Sequence, residues 1–390
     1  MTDNTHPADA DQPYVRKPTP AEFFTSRGPG AREMNWGQLA PADPVVPTER
    51  FYVHNRQPPP EIDLAAWRLT VTGPAPSQHH AFSYDDLRAL PAVTLIRAMD
   101  CGSNGRRFFP KLAPHPDAAR WLPVAGSAWR FGAMGAATWT GARLADVLDA
   151  AGVDAAAAVD VQVTSLDRSG YAHVVPAARA YAADSLVVYA MNGAPLLPDH
   201  GSPCRAFFAG WGGNANVKWL TSIAVSATPL PLPPAQLMQR LIGPDYPEPQ
   251  VVTTQNVKSA FELDWDATLT QPGDGVIDLQ GRAWSGAGRI VRVEVQVEQL
   301  DAAGAWHPIW DPAWRAATLD LASPAAEDWV PFTVQWAKAG VGYYRLMARA
   351  TDETGATQPP PEAVPWNQYG LLYNGHVGHP VTVVPPHGAE

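Results

Sequence analysis

Met99-Asp100-Cys101-Gly102-Ser103-Asn104-Gly105-Arg106-Arg107-Phe108-Phe109-Pro110 is the stretch whose reading decides the rest of this chain. It holds one of only two cysteines, placed just after an apolar run, Val93-Thr94-Leu95-Ile96, that reads as a strand. A thiolate is a soft metal ligand and is favoured where cations stand close. The glycines let a backbone approach a bound group, and Asn104 can turn the chain. Paired arginines suit a bulky anion or an oxyanion. Taken alone, the stretch fits a buried core thiol beside a basic turn at least as well, because free cysteines are usually buried and inert.

Composition narrows the choice. A length of 390 residues suggests two or three domains. With 41 prolines and 31 glycines, short elements and many loops are expected rather than long helices. Fifteen tryptophans are enough that some should line a pocket or an interface. The net charge is -10 and no basic block occurs, which argues against nucleic-acid binding. Two cysteines allow at most one disulfide, and CxxC and HExxH motifs are absent, so a disulfide scaffold and the common zinc sites have no support. No apolar run reaches the roughly 18 residues of a membrane span. The polar segment 1–37 lacks a secretory leader and a twin-arginine signal, so a cytoplasmic location is expected.

Along the chain, residues 1–40 read as an irregular N-terminal arm. Phe51-Tyr52-Val53 is strand-like and is followed by His54, Asn55 and Arg56, which fit either ligand contacts or a solvated loop. Ser83 with Asp86 three residues on marks a helix start. A helix is expected over 142–151, ending at Gly152. Val159 to Leu166 alternates as a strand and leads to Asp167-Arg168-Ser169-Gly170. A second dense stretch holds His200 and Arg205, then the loop Gly210-Trp211-Gly212-Gly213-Asn214-Ala215-Asn216-Val217-Lys218. These look like anion-binding groups, although a plain loop is an equal reading for Gly210 to Gly213. Residues 227–250 are Pro-rich and read as a linker that can cover the site. No GxGxxG follows a strand, so a nicotinamide or flavin site has little support. Helices and strands interleave irregularly up to Val225, which argues for a mixed α+β domain. Beyond about Val251, strands alternate strictly, most clearly over Arg289 to Val297, as in a β-sandwich.

Together these segments resemble the sulfite oxidase family of molybdenum-cofactor (molybdopterin) enzymes. The likeness spans roughly residues 48–382 and rests on the order and spacing of the 48–60, Cys101, 129–144, 189–220, 282–286, 350–359 and 366–370 stretches. It implies an α+β chain: a mixed α/β molybdopterin-binding catalytic domain over 41–250 after the 1–40 arm, then an immunoglobulin-like β-sandwich dimerisation domain over 251–390. It implies Cys101 as the protein's ligand to molybdenum. Tyr52, His54, Asn55 and Arg56 would contact the pterin. Asp167 would accept from pterin nitrogens, and His200, Arg205, Asn216, Val217 and Lys218 would bind the pterin and its phosphate. Arg106, Arg107, Trp129, Tyr246 and His54 would border the substrate.

The implied activity is oxygen-atom transfer by an oxidoreductase that takes sulfite, or a similar small-molecule substrate, to sulfate. The cofactor carries the redox chemistry. No haem segment is present, so electrons would leave to a separate acceptor such as a cytochrome, and the protein would be a homodimer. An S-oxide or N-oxide reductase, or a non-catalytic cofactor- or partner-binding member, are the competing readings. Three departures stand out. Family members that oxidise sulfite usually read Arg-Asn-His where this chain has His54-Asn55-Arg56, and carry an arginine where it has Tyr369. The cysteine loop reads Cys-Gly-Ser-Asn-Gly-Arg-Arg rather than Cys-Ala-Gly-Asn-Arg-Arg. Fewer guanidinium forks weaken the hold on a small hydrated dianion.

Overall fold

A computed structural model describes residues 13–40, 43–75, 77–109 and 128–386. The strand that delivers the cysteine, Ala92–Asp100, pairs along its whole length with Met134–Arg143. It stops at Asp100 because the next residues turn: Asn104 N–H donates to Cys101 O at 2.7 Å. The Asn104 amide pins that turn, accepting from Ala133 N at 3.0 Å and donating to Phe131 O at 3.3 Å. Gly105 follows at φ 90°, a backbone state that disfavours a side chain, and opens the short 3-10 helix Arg106–Phe108.

Ala92–Asp100 is the edge of a sheet ordered Ala194–Pro195, Ser185–Met191, Met134–Arg143, Ala92–Asp100, with Arg205–Phe208 also on Ser185–Met191. A second sheet runs His79–Phe82, Leu69–Thr72, Leu220–Ser226, Asp160–Ser165, Ala172–Pro176. Asp160–Ser165 buries every other side chain, as its alternation requires. The two sheets share one core: Ala142, Val187 and Phe208 of the first meet Leu69, Val163 and Ile223 of the second. Leu87 joins it from the helix Tyr84–Ala89, whose start is the Ser83–Asp86 capping box expected from sequence. The expected helix over 142–151 is shorter, Leu144–Ala150, because Ala142 and Arg143 still pair with Val187 and Leu186.

The other face of the first sheet packs against the N-terminal segment and the C-terminal part. Ala98, Met134, Leu186 and Phe207 lie in one cluster with Trp36, Phe51, Trp284 and Trp329. Trp36, Trp284 and Trp329 stack with centroids 5.6–6.0 Å apart. Regular structure begins before the Thr48 stretch: Phe24–Gly28, Ala31–Met34 and Val53–His54 form a small antiparallel sheet.

From Lys258 onward the chain is β-rich. A four-stranded sheet (Lys258–Phe261, Val276–Trp284, Val330–Ala337, Thr318–Leu319) and a six-stranded one built on Ile290–Leu300 and Gly342–Asp352 share a core. The alternation read at Arg289 to Val297 is realised only in part: Val293, Val295 and Val297 are buried, but Gln296 between them is buried too and Val291 is exposed. Lys258 is fully buried and reaches back to the first sheet, placing Nζ 2.7 Å from Asp100 Oδ2. Trp284 Nε1 donates to the same oxygen at 3.3 Å. A buried pair of this kind fixes geometry: breaking one half leaves an uncompensated charge. The residue before Cys101 is therefore held from the C-terminal domain. Among the described residues no helix is long and apolar enough to cross a membrane.

Candidate active site

Cys101 opens on a cavity of about 500 Å³. Four segments converge there: the turn after Ala92–Asp100, the residues after the short strand Val53–His54, the loop after Asp160–Ser165, and the 199–219 stretch. The cavity collects Tyr52, His54, Asn55, Arg56, Cys101, Arg106, Asp167, His200, Arg205, Asn216, Val217 and Lys218, residues up to 166 positions apart in the sequence. Trp129 does not line it but stands behind His54, ring centroids 5.3 Å apart and near-perpendicular. Arg107 is exposed outside the cavity, and its backbone N–H donates to Trp129 O. Tyr246 packs beside the cavity against a small cluster of Leu241, Val252 and Leu371.

Each placement has a local cause. Gly213 N–H donates to Asp100 O at 2.7 Å, so the glycine loop lies directly on the end of the cysteine strand. A Cβ on Gly213 would come 3.1 Å from the Tyr52 hydroxyl, which explains a glycine at that close approach. Asn216 is locked as a loop clasp: its Oδ1 accepts from Phe208 N at 2.6 Å and its Nδ2 donates to Gly212 O. Arg205 donates to His200 O at 3.1 Å and Asn216 O at 2.8 Å. Lys218 Nζ donates to Asp199 O at 2.6 Å, Asn55 Oδ1 at 2.5 Å and His54 O at 3.2 Å. The 227–250 stretch is more than a linker. Gln236 is buried and bonds both Val174 N and Val174 O, and this places Met238 and Gln239 on the cavity wall.

The electrostatics follow from burying so many cations together. Burial, then Arg56, Lys218 and Arg106, push the His54 pKa down to about 3, so its ring is neutral at ordinary pH. Burial and the neighbouring Lys17, Lys218 and Arg205 likewise hold His200 well below the usual histidine range. Burial and Arg205 lower Lys218 to about 7, while Asp199 opposes them. Burial raises Tyr171 to about 12. Cys101 Sγ lies 3.3 Å from Ser103 Oγ and 3.7 Å from His54 Nδ1.

Several site residues are not apparent from sequence. Tyr171 lines the cavity and donates to Asn214 O at 2.7 Å and Gln239 Oε1 at 3.1 Å. Asn214, in the Gly-Gly-Asn run, has both side-chain polar atoms buried without a partner. Asp199 accepts the backbone N–H groups of Arg16 and Lys17 and the Asn55 amide, at 2.6–3.1 Å. Lys17 Nζ donates to Thr48 O and Phe51 O and lies 3.3 Å from His200 Nε2. The signal for Asn214 is its place in the 210–218 loop and for Tyr171 its place directly after 167–170; nothing local marks Lys17.

The donor set fits a metal that arrives inside a large anionic organic chelate. Among the described residues no group of three or more His, Cys, Asp or Glu could hold an ion by itself, so a metal on Cys101 would take its further ligands from elsewhere than these residues. Around the thiol are buried polar atoms with no protein partner: both ends of the Asn214 amide, Arg205 Nε and Arg106 Nε. Such groups are costly unless something bonds them.

Comparison with known proteins agrees. Residues 55–232 match the family described as oxidoreductase molybdopterin binding domain, and residues 250–383 match the Mo-co oxidoreductase dimerisation domain. The chain is 30% identical over 411 residues to the mitochondrial sulfite oxidase of Rattus norvegicus, covering 97% of this chain and 69% of that protein. The human mitochondrial sulfite oxidase is 30% identical over 401 residues, covering 94% and 67%. The NADH nitrate reductase of Ulva prolifera is 28% identical over 371 residues, covering 86% of this chain and 40% of that protein. The crystal structure of the sulfane dehydrogenase SoxCD from Paracoccus pantotrophus superposes with a TM-score of 0.71 at 21% identity, over 94% of this chain and 86% of that one, so the fold is shared. These relatives correct one expectation. The sulfite oxidases of rat, mouse and human are mitochondrial proteins, so the cytoplasmic location read from the start of the sequence does not stand. An address is carried by a targeting segment, not by the fold or the site.

Proposed function

This chain belongs to the sulfite oxidase family of molybdopterin oxidoreductases, and we propose that it oxidises sulfite, or a related small oxygen-accepting substrate, by oxygen-atom transfer. The observation that carries this reading is Cys101, a thiol opening on a 500 Å³ cavity whose wall is cationic and whose buried polar atoms lack protein partners. The molybdenum cofactor, when bound, supplies the two-electron centre and the transferable oxygen.

The protein's share is binding, orientation and charge. The Cys101 thiolate would hold the metal. Tyr52, Asn55, His200, Arg205, Asn216 and Lys218 form the wall that would take the pterin and its phosphate, the cations as charge-assisted donors. Asp167, on the loop after its strand, would accept from pterin N–H groups. Arg106 would face the substrate across the thiol, with Arg56 at the cavity mouth. His54, neutral and edge-on to Trp129, offers shape and a hydrogen bond there but no charge. Two elements of this reading concern organisation: the boundaries near 40 and 250, and an immunoglobulin-like arrangement of the two C-terminal sheets that pairs chains into a homodimer. Electrons would pass to a separate one-electron acceptor. Molybdenum-loaded protein is expected to reduce ferricyanide in the presence of sulfite or a related sulfur compound, and to sediment at twice the 41.9 kDa chain mass. Molybdenum-replete protein that oxidises none of them would overturn the activity, and a monomer would overturn the pairing.

A further inference from the structure

The cavity has two unlike sides next to Cys101. One side is cationic. Arg106 is largely buried, its Nε has no partner, and it makes no side-chain hydrogen bond or ion pair among the described residues. Burial lowers its pKa, with Cys101 acting against that shift and Arg56 adding to it. Lys218 and Arg205, by contrast, are committed to protein carbonyls and the Asn55 amide.

The other side is apolar. Val252 and Leu371 are buried in a cluster that Tyr369 packs against, and all three line the cavity. Val252 lies close to the backbone beside the thiol: a Cβ on Gly102 would sit 3.5 Å from Val252 Cγ1. Leu372 N–H donates to Gly102 O at 2.8 Å, which fixes the 369–372 segment at the same place. Met238, on the cavity rim, leaves half its surface exposed. A hydrated inorganic dianion gains nothing from such a wall, whereas an organic group buried there gains roughly in proportion to its apolar area.

Resting on the oxidoreductase reading above, we propose that the substrate of this site is an organic sulfinate. Its sulfur end faces Arg106 and Arg56 beside Cys101, and its organic group lies on Met238, Val252, Tyr369 and Leu371. Among small oxygen acceptors a sulfinate meets all three demands: a sulfur lone pair, a negative charge and an apolar substituent. The reaction balances as R–SO2− + H2O → R–SO3− + 2 H+ + 2 e−. A sulfur–oxygen bond forms, both O–H bonds of the water break, and the electrons leave one at a time to an acceptor, ferricyanide in the assay.

The test uses the molybdenum-loaded full chain with benzenesulfinate and sulfite as substrates, and with benzenesulfonate and sulfate as calorimetric ligands. Benzenesulfinate is expected to give a kcat/KM on the order of tenfold or more above that of sulfite, the scale on which apolar pockets discriminate. Benzenesulfonate is expected to bind more tightly than sulfate by a similar factor. Tyr369→Arg, and separately Met238→Gln at its half-exposed position, should lower the sulfinate-to-sulfite ratio. Equal or better turnover of sulfite, or benzenesulfonate binding no tighter than sulfate, overturns the inference and leaves the oxidoreductase reading standing. Failure to oxidise either compound by molybdenum-replete protein overturns that reading and the inference with it.

Discussion

Asp328 shows what one residue contributes at the back of the site. Its Oδ2 accepts from Ala98 N on the cysteine strand at 3.1 Å, while Oδ1 is buried with no partner. Burial pushes its pKa up to about 7, and the partnerless oxygen is where a proton sits at little cost. The folded protein thus holds this proton more tightly than the unfolded chain. The stability it contributes is complete below the ordinary carboxylate range and is lost as pH rises toward 7, by at most about 1.4 kcal/mol per pH unit. Asp100, also raised by burial, adds to the same trend. The buried histidines His54, His173, His200 and His379 act in the opposite sense over the same range in both proteins, so the readout is the difference: relative to wild type, Asp328→Asn should gain melting temperature as pH rises from about 4 to 7 in calorimetry. An unchanged slope would mean the carboxylate is ionised throughout. Lys17 and Lys218, both lowered by burial to about 7, work in the opposite sense above that pH and do not obscure the window.

At the scale of elements, the segment around Arg16 and Lys17 acts as a strap. Its backbone is captured by Asp199, its lysine by Thr48 O and Phe51 O, and Tyr14 O takes the Asn55 amide. Asp199, Asn55 and Lys218, all in irregular segments or a 3-10 turn, are thereby fixed from outside the sheets. Lys17→Met removes a charged donor whose hydrogen bonds are worth about 1.5–3 kcal/mol each. The variant should lose molybdenum during dialysis roughly ten times faster than wild type and melt at lower temperature even without the cofactor. Metal retention and melting equal to wild type would show the strap to be incidental. The strap also marks how far the sequence could be read. Cys101, Arg205 and Lys218 were legible because polar and charged residues stand among glycines or apolar neighbours within a few positions. The buried valines of Ile290–Leu300 and the capping box at Ser83 were legible for the same local reason. Lys17 and Asp199, 182 positions apart, meet only in three dimensions. Asn214 fell inside a suspected loop and Tyr171 directly after another, but neither carried a sign of which way it faces. Arg107 and Tyr246, named with the site, stand outside the cavity because the turn at Gly105 and the packing of Tyr246 near Leu241 direct them elsewhere.

For the whole molecule, the question is how the C-terminal domain bears on chemistry it does not contain. Lys258 answers it, through the buried pair with Asp100, the residue before Cys101, and a 3.3 Å contact to Asn104 O. The close approach of Gly286 to Gly210 adds a second tie: a Cβ on Gly286 would lie 2.0 Å from Gly210 O. Lys258→Met should cost about 3–5 kcal/mol in urea unfolding, because it strands a buried carboxylate. A loss under about 1 kcal/mol would mean that the Asp100 carboxyl is neutral in the native protein. All these contacts converge on one thiol, so the most direct test of the account is the sulfur environment of the metal. Molybdenum K-edge X-ray absorption on the loaded wild type and on Cys101→Ser should show bound molybdenum in both, with one sulfur neighbour fewer in the variant. Identical sulfur shells in the two proteins would contradict the assignment of Cys101 as the ligand.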